Sequence, residues 1–327
     1  MDKVIKTILE NLQQKLGNEY TVLVEKVTKN NGVVLTGIIA KKHGASAYPT
    51  IYIDNFLKEE IADREMERIV EQLYQKIHEA EMEEEPDLSS FMDFEKAKGS
   101  IAFKLVHAEK NKEYLKKVPH RRFHDLALVF YYTVTEKPFC GNAVIVIKKD
   151  HMKRWQVTEE ILYETALGNM PSMLPAMIRN IEDVMRELLE SGLKEDLIHF
   201  RDNKEGEDIF SDEWVKELLG QMTDSFQPEG EKIPMYVLTN RQKIQGAACI
   251  LYPGVLKQFS DKLKQDFYVL PSSIHEVILV PAIPVTEPEM LRDIVSDINR
   301  TQVAIDEVLA DSVYFYSRKR DSLEWIC

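Results

Sequence analysis

The chain has 327 residues, a formal net charge of −13, 44% hydrophobic residues and 30% charged residues. That length and balance fit one large or two modest globular domains and exclude an intrinsically disordered chain. An acidic excess repels nucleic acid and anionic membranes except where basic residues cluster locally. No run approaches the roughly 18 apolar residues of a membrane span. The three cysteines, Cys140, Cys249 and Cys327, are widely spaced and contain no CxxC pair, which argues against a disulfide framework or a thiolate zinc site.

The opening MDKVIKTILENLQQKLG carries charges within its apolar periodicity and no small-residue cleavage site, so it is not the pattern of a secretory signal, and we expect a cytoplasmic protein. Val4, Ile5, Ile8, Leu9, Leu12 and Leu16 fall at helical spacing, and Gly17 ends that helix. Tyr20–Val27 alternates as a strand, Asn30-Asn31-Gly32 makes a turn, and Val33–Ala40 returns as a second strand. Pro49–Asp54 reads as a short third strand, and Ile61–Met82 as an amphipathic helix with Met66, Ile69, Val70, Leu73 and Ile77 on one face. EAEMEEEPD, Glu79–Asp87, combines charge repulsion with a proline and reads as a linker. It closes an N-terminal α+β module over 1–85, leaving 86–327 for a larger domain.

Beyond the linker, Ser100–His107 and Leu126–Val134 read as strands around a lysine-rich helix or loop. Ala143–Ile147 pairs with the second strand across a turn at Pro138–Asn142. Thr158 caps a helix through Ile161, Leu162 and Ala166 to Gly168, and Pro175–Leu189 looks helical. The polar stretch 195–230, with a short helix near Asp212–Leu219, is expected to be an excursion within the larger domain. Strands are then expected at Met235–Thr239, Ala247–Leu251, Phe267–Leu270 and Val277–Val280, with helices at Pro253–Leu263 and Pro288–Asn299. A hairpin of Ser312–Tyr316 with Leu323–Ile326 closes the chain. Alternating elements mixed with hairpins predict an α+β fold: an N-terminal α/β-hairpin module, then a mixed, mainly antiparallel sheet domain with packed helices.

No G-x-G-x-x-G, Walker A loop, G-x-S-x-G elbow or H-E-x-x-H occurs, which removes most familiar enzyme classes. The most informative stretch is DFYVLPSSIHEVILVP, Asp266–Pro281, where Ser272, Ser273, His275 and Glu276 sit between two apolar strands. Buried polar groups are costly unless paired, so the cluster is either a hydrogen-bonded turn or a site. If the neighbouring strands share one sheet, their ends gather Asn240 beside it. Asn240, Ser272 and His275 are then candidate ligand-binding residues. Ser272 or Ser273 with His275 and Glu276 are candidate catalytic residues of a hydrolase or transferase. His275 and Glu276 stand next to each other in an extended segment, so they point to opposite faces and no metal site is expected.

A basic stretch stands out from the acidic background: Lys104, Lys110, Lys112, Lys116, Lys117, Arg121 and Arg122, followed later by Lys148, Lys149, Lys153 and Arg154. If the two patches meet, Lys117, Arg121, Arg122, Lys149 and Arg154 form a weak anion or nucleic-acid surface, with Tyr114, Phe123 and Trp155 as stacking faces. The alternative is a solvated face. His124-Asp125, at the head of a strand, is either a tuned base or a strand cap.

On KVTKNNGVVLTGI (Lys26–Ile38), PTIYID (Pro49–Asp54), FHDLALVFYY (Phe123–Tyr132), YVLTN (Tyr236–Asn240), GAACILYPGVL (Gly246–Leu256) and LPSSIHEVILVP (Leu270–Pro281), the chain resembles the bacterial domain-of-unknown-function family 5688 over nearly its whole length. A fainter similarity links the central and C-terminal part to the YtpQ-type family, also of unknown role. The resemblance implies a cytoplasmic bacterial protein and supplies no catalytic residue. Together these readings lead us to expect a non-enzymatic binding or interaction module without cofactor, whose partner is a protein or small ligand and not a membrane, with nucleic acid disfavoured by charge.

Overall fold

The computed structural model describes residues 2–44, 48, 50–57, 61–79, 88–134, 143–184, 233–301 and 303–327. The fold is α+β, with antiparallel sheets, and the chain divides into two compact units. The first comprises Met1–Asp93 with Thr133–Val144, and the second Phe94–Tyr132 with Ile145–Cys327. The expected linker, apart from Glu79, lies outside the described residues.

In the first unit, helix α1 (Asp2–Leu16) buries Val4, Ile5, Ile8, Leu12 and Leu16, the stripe its periodicity predicts. Gly17 follows at φ 75°, a left-handed conformation that glycine adopts without strain. Strands β1 (Tyr20–Thr28) and β2 (Val34–Lys42) pair antiparallel, with Asn31 and Gly32 taking positive φ in the turn. Strand β3 (Thr50–Tyr52) adds to β2. Helix α2 (Asp63–Glu79) buries Met66, Ile69, Val70, Leu73 and Ile77, and joins α1 over one sheet face, where Tyr20, Ile38 and Ala40 point inward. Residues 80–82 of the expected helix lie outside the described residues. A single turn, α3 (Ser89–Met92), follows.

The second unit opens with the turn α4 (Phe94–Ala97) and strand β4 (Ile101–His107). The short helix α5 (Lys112–Leu115) and strand β5 (His120–Phe123) then lead into β6 (Leu126–Val134), whose last two residues fall in the first unit. β6 pairs with β4 on one side and β5 on the other, and β7 (Ala143–Val146) joins it. Helix α6 (Lys149–Trp155) precedes α7 (Glu159–Met173), which Thr158 caps by accepting the Ile161 N–H. α7 runs beyond Gly168, and Leu162, Ala166 and Met170 are its buried residues.

A six-stranded antiparallel sheet completes the unit, in the order β13-β12-β10-β11-β9-β8. Its members are β8 (Ala176–Asn180), β9 (Tyr236–Asn240), β10 (Phe267–Leu270), β11 (Val277–Pro281), β12 (Tyr314–Ser317) and β13 (Ser322–Trp325). Helix α8 (Val255–Leu263) packs on one face, where Phe259 meets Tyr236 and Phe267 edge-on at ring distances of 5.0 Å. Helix α9 (Pro288–Thr301) covers the other, where Leu291, Val295 and Ile298 meet Leu270 and Val280. Alternate residues of the central strands thus serve two cores.

Two expected elements take another form, and β5 is a strand within the segment read as a lysine-rich helix or loop. The expected helix at Pro175–Leu189 is the strand β8 up to Asn180, then a helical turn over 181–184. Pairing with β9, extended by the Ile181 N–H to the Met235 carbonyl, outweighs local helix preference. The expected strand Ala247–Leu251 is a 3-10 helix, Gly246–Leu251, with Gly246–Ile250 all buried. A short, fully apolar run carries no period to distinguish the two. The turn at 138–142, the remainder of the expected helix after Val184 and the polar excursion 195–230 with its helix all lie outside the described residues.

Candidate functional site

The ladder between β9 and β11 pairs Leu238 with Val277, so Thr239 and Asn240 end beside His275 and Glu276. β10 flanks β11 on its other side and delivers Pro271, Ser272 and Ser273 to the same end of the sheet. The structure therefore brings Asn240, Ser272, Ser273, His275 and Glu276 together. It also adds residues that sequence reasoning did not single out: Thr239, Gln245 and Glu307.

Each polar group in this cluster has a specific use. Thr239 Oγ1 donates to the His275 carbonyl at 2.8 Å, and the Ala247 N–H reaches the Ile274 carbonyl at 3.3 Å. The Gln245 N–H donates to His275 Nδ1 at 3.3 Å, and Nε2 faces Glu307 Oε1 at 3.7 Å. An accepting Nδ1 leaves the neutral ring its proton on Nε2. Ser273 Oγ accepts the His275 N–H at 3.0 Å, a local turn bond. Among the described residues, no hydrogen bond joins either serine hydroxyl to the imidazole.

The backbone on the other side is equally occupied. Leu309 and Ala310 donate to the carbonyls of Ser272 and Pro271 at 2.8 and 2.9 Å, and Ile274 donates to the Glu307 carbonyl at 2.9 Å. Asn240, fully buried, uses Oδ1 to accept from Gln242 and Ile244 and Nδ2 to donate to the Ile244 carbonyl at 2.7 Å. That clamp holds a tight loop in which Lys243 and Gln245 take left-handed backbone. Burial raises the carboxyl of Glu276 above its ordinary range; His275 opposes the rise and Glu307 adds to it.

The basic residues occupy a different part of the second unit. Lys149 Nζ donates to the Lys116 carbonyl at 2.9 Å, so the two basic segments do meet. Their charges have acidic neighbours: Arg121 with Glu160 and Arg122 with Glu109, each at 3.0 Å, Lys116 with Glu113 at 2.6 Å and Lys153 with Asp150 at 3.0 Å. Arg121 also lies over the Tyr163 ring at 4.3 Å. Arg154, on α6, has an interaction of its own, and Lys117 follows α5.

His124 turns the chain between β5 and β6 at φ 54°, its ring against Phe123 and Tyr314. Asp125 accepts from Ser312 Oγ at 2.5 Å and from the Tyr314 hydroxyl. Cys249 is buried, and burial pushes its thiol up to about 12, leaving it protonated at neutral pH. Among the described residues no group of three or more His, Cys, Asp or Glu side chains could hold a metal ion, and no helix is long and apolar enough to cross a membrane.

Comparison with known families adds one result: the model of a family of unknown function, DUF5688, matches residues 1–318. The chain belongs to this family. The DUF5688 match spans both compact units and includes the whole LPSSIHE segment. No curated protein and no solved structure matches the chain.

Proposed function

We propose that this DUF5688 member is a non-enzymatic binding or interaction protein of the bacterial cytoplasm, and that its serine–histidine cluster is a structural clasp. The observation that carries this reading is the use of His275: Nδ1 accepts a backbone N–H, Nε2 faces Glu307, and Ser273 Oγ is engaged by the His275 backbone. A nucleophilic serine needs an imidazole nitrogen as its proton acceptor, and here the accepting nitrogen, Nδ1, is occupied by the Gln245 N–H. The free, unpaired Cys249 and Cys327 suit a reducing compartment. A fluorophosphonate probe that labels activated serines tests the reading. No labelling of the native chain is expected, whereas labelling abolished by Ser272→Ala or Ser273→Ala would establish the hydrolase alternative.

A second reading, weak binding of anions including nucleic acid, draws on the Lys149–Lys116 contact that joins the basic segments. The glutamates beside Arg121 and Arg122 count against it. Titration with a single-stranded oligonucleotide at two salt concentrations decides it: binding at low salt, weakened by Arg121→Ala with Arg122→Ala, supports it, and no binding at low salt sinks it.

A further inference from the structure

Strand β1 stands at the end of the first unit's sheet, and among the described residues it pairs with β2 alone. Its middle is exposed at every position from Leu23 to Lys26, with Leu23 and Val24 each 42% exposed. Gln13 of α1 shows which backbone groups face outward: its Oε1 accepts the Val22 N–H and its Nε2 donates to the Tyr20 carbonyl, both at 2.9 Å. A residue in an antiparallel pair directs its N–H and carbonyl to the same side, and neighbours alternate. The odd-numbered residues of β1 therefore bond to β2, while Val24 and Lys26 present their backbone groups to the open edge. Gln13 stands in for a strand at the start of that edge, and no described residue does so at Val24 or Lys26.

An open edge is a template for another strand unless charge or shape guards it. Lys26 is placed to guard this one, yet its ammonium turns back over its own sheet and donates to Thr36 Oγ1 on β2 at 2.6 Å. Asp54 holds that threonine in place, accepting its N–H at 2.7 Å and its hydroxyl at 3.2 Å. Val24 shares the helix-covered face with Tyr20, and with Ile5 and Leu9 of α1 it lines a groove of about 340 Å³.

A second copy of the chain fits this edge in one register. Two identical strands related by a two-fold axis bond only where outward-facing residues meet. An axis at Leu23 or earlier claims the Tyr20 carbonyl and Val22 N–H that Gln13 holds. An axis at Glu25 opposes two carboxylates, one at Lys26 opposes two lysines, and one farther along leaves Val24 unpaired. An axis at Val24 opposes valine to valine and Leu23 to Glu25, and exchanges one Gln13 bond, at the Val22 N–H, for the Lys26 carbonyl of the second copy.

We propose that β1 pairs antiparallel with β1 of a second copy about a two-fold axis at Val24, joining the two sheets into one with both α1 helices on the same face. The Val24 N–H donates to the Val24 carbonyl of the second copy and the Lys26 N–H to its Val22 carbonyl, and the grooves beside Val24 close on each other. This goes beyond the reading of the chain as a binding protein and uses none of the residues of the His275 clasp.

Sedimentation of the full chain, from low to high micromolar concentration, provides the test. The native chain is expected to form a dimer whose population rises with concentration. Val24→Lys opposes two charges at the axis and is expected to weaken association at least about tenfold. Val24→Pro removes the outward N–H without touching the ladder to β2 and is expected to do the same. Val285→Lys, the same charge change at an exposed site of the second unit, leaves association unchanged. Circular dichroism confirms that the variants remain folded. A native chain that stays monomeric, undiminished association in folded Val24→Lys, or equal weakening by Val285→Lys would overturn the proposal.

Discussion

A methyl group on Gly246 would sit 2.1 Å from Thr239 Oγ1, 2.4 Å from the His275 carbonyl oxygen and 2.8 Å from the Asn240 nitrogen. Two of those atoms are backbone, Asn240 held in β9 by its pairing with β8 and the His275 carbonyl held by Thr239 Oγ1, so nothing can move cheaply. Gly246→Ala is expected to cost more than about 3 kcal/mol in urea unfolding, well above an ordinary surface substitution. Glu276 gives a pH signature. Burial raises its carboxyl in the folded chain above the ordinary value of 4.5, so the folded state holds its proton more tightly than the unfolded state does. Its contribution to stability is full below the unfolded value and is lost as pH rises through the raised one. Glu276→Gln should therefore raise the melting temperature at pH 7 and confer little or no gain near pH 4. An equal gain at both pH values would refute the sign. At this scale the sequence named the cluster but not its use. Ser272, Ser273, His275 and Glu276 were conspicuous as polar residues between apolar runs. Their partners, Thr239 on β9 and Gln245 and Glu307 on loops, lie about 30 residues away, a proximity that no local pattern encodes.

Elements with a period of their own were readable. α1 and α2 bury the stripes expected from their spacing, α9 forms where a helix was expected, and Thr158 caps α7 as its position implied. Thr158→Ala removes the bond to the Ile161 N–H and should cost about 1 kcal/mol, checked by equilibrium unfolding; a loss indistinguishable from zero would mean the cap is idle. The misread elements are those decided by neighbours. β8 is a strand because β9 supplies its hydrogen bonds, and the 3-10 helix from Gly246 exists because loop and strand close around it. β5 escaped notice because only four residues form it and two are arginines whose charged ends are paired at the surface.

At the scale of the whole molecule, alternating elements mixed with hairpins led to an α+β fold, which the sheets and helices display. The sequence proposal of a boundary near residue 85 rests on the acidic, proline-containing stretch. In the second unit two sheets are linked through Asp125, which follows the β5–β6 turn and receives the hydroxyls of Ser312 and Tyr314 from the segment entering β12. The sequence marked His124-Asp125 as notable without revealing that its partners lie almost 190 positions later. Burial raises the Tyr314 hydroxyl far above its ordinary value, so it stays a donor at every working pH. Asp125→Ala strands both hydroxyls and should cost about 2–4 kcal/mol, seen as a lower urea midpoint. An unchanged midpoint would remove Asp125 from the account of how the sheets are joined.

The claim that most depends on one atom is that His275 is spent on holding the loop that ends at Gln245. Long-range ¹H–¹⁵N NMR of the imidazole, assigned with His275→Gln, reads it directly. The account predicts a neutral ring protonated at Nε2, with Nδ1 shifted as an acceptor and the Gln245 amide protected from exchange. A ring protonated at Nδ1, with Nε2 accepting a hydroxyl proton and the Gln245 amide exchanging freely, would contradict it.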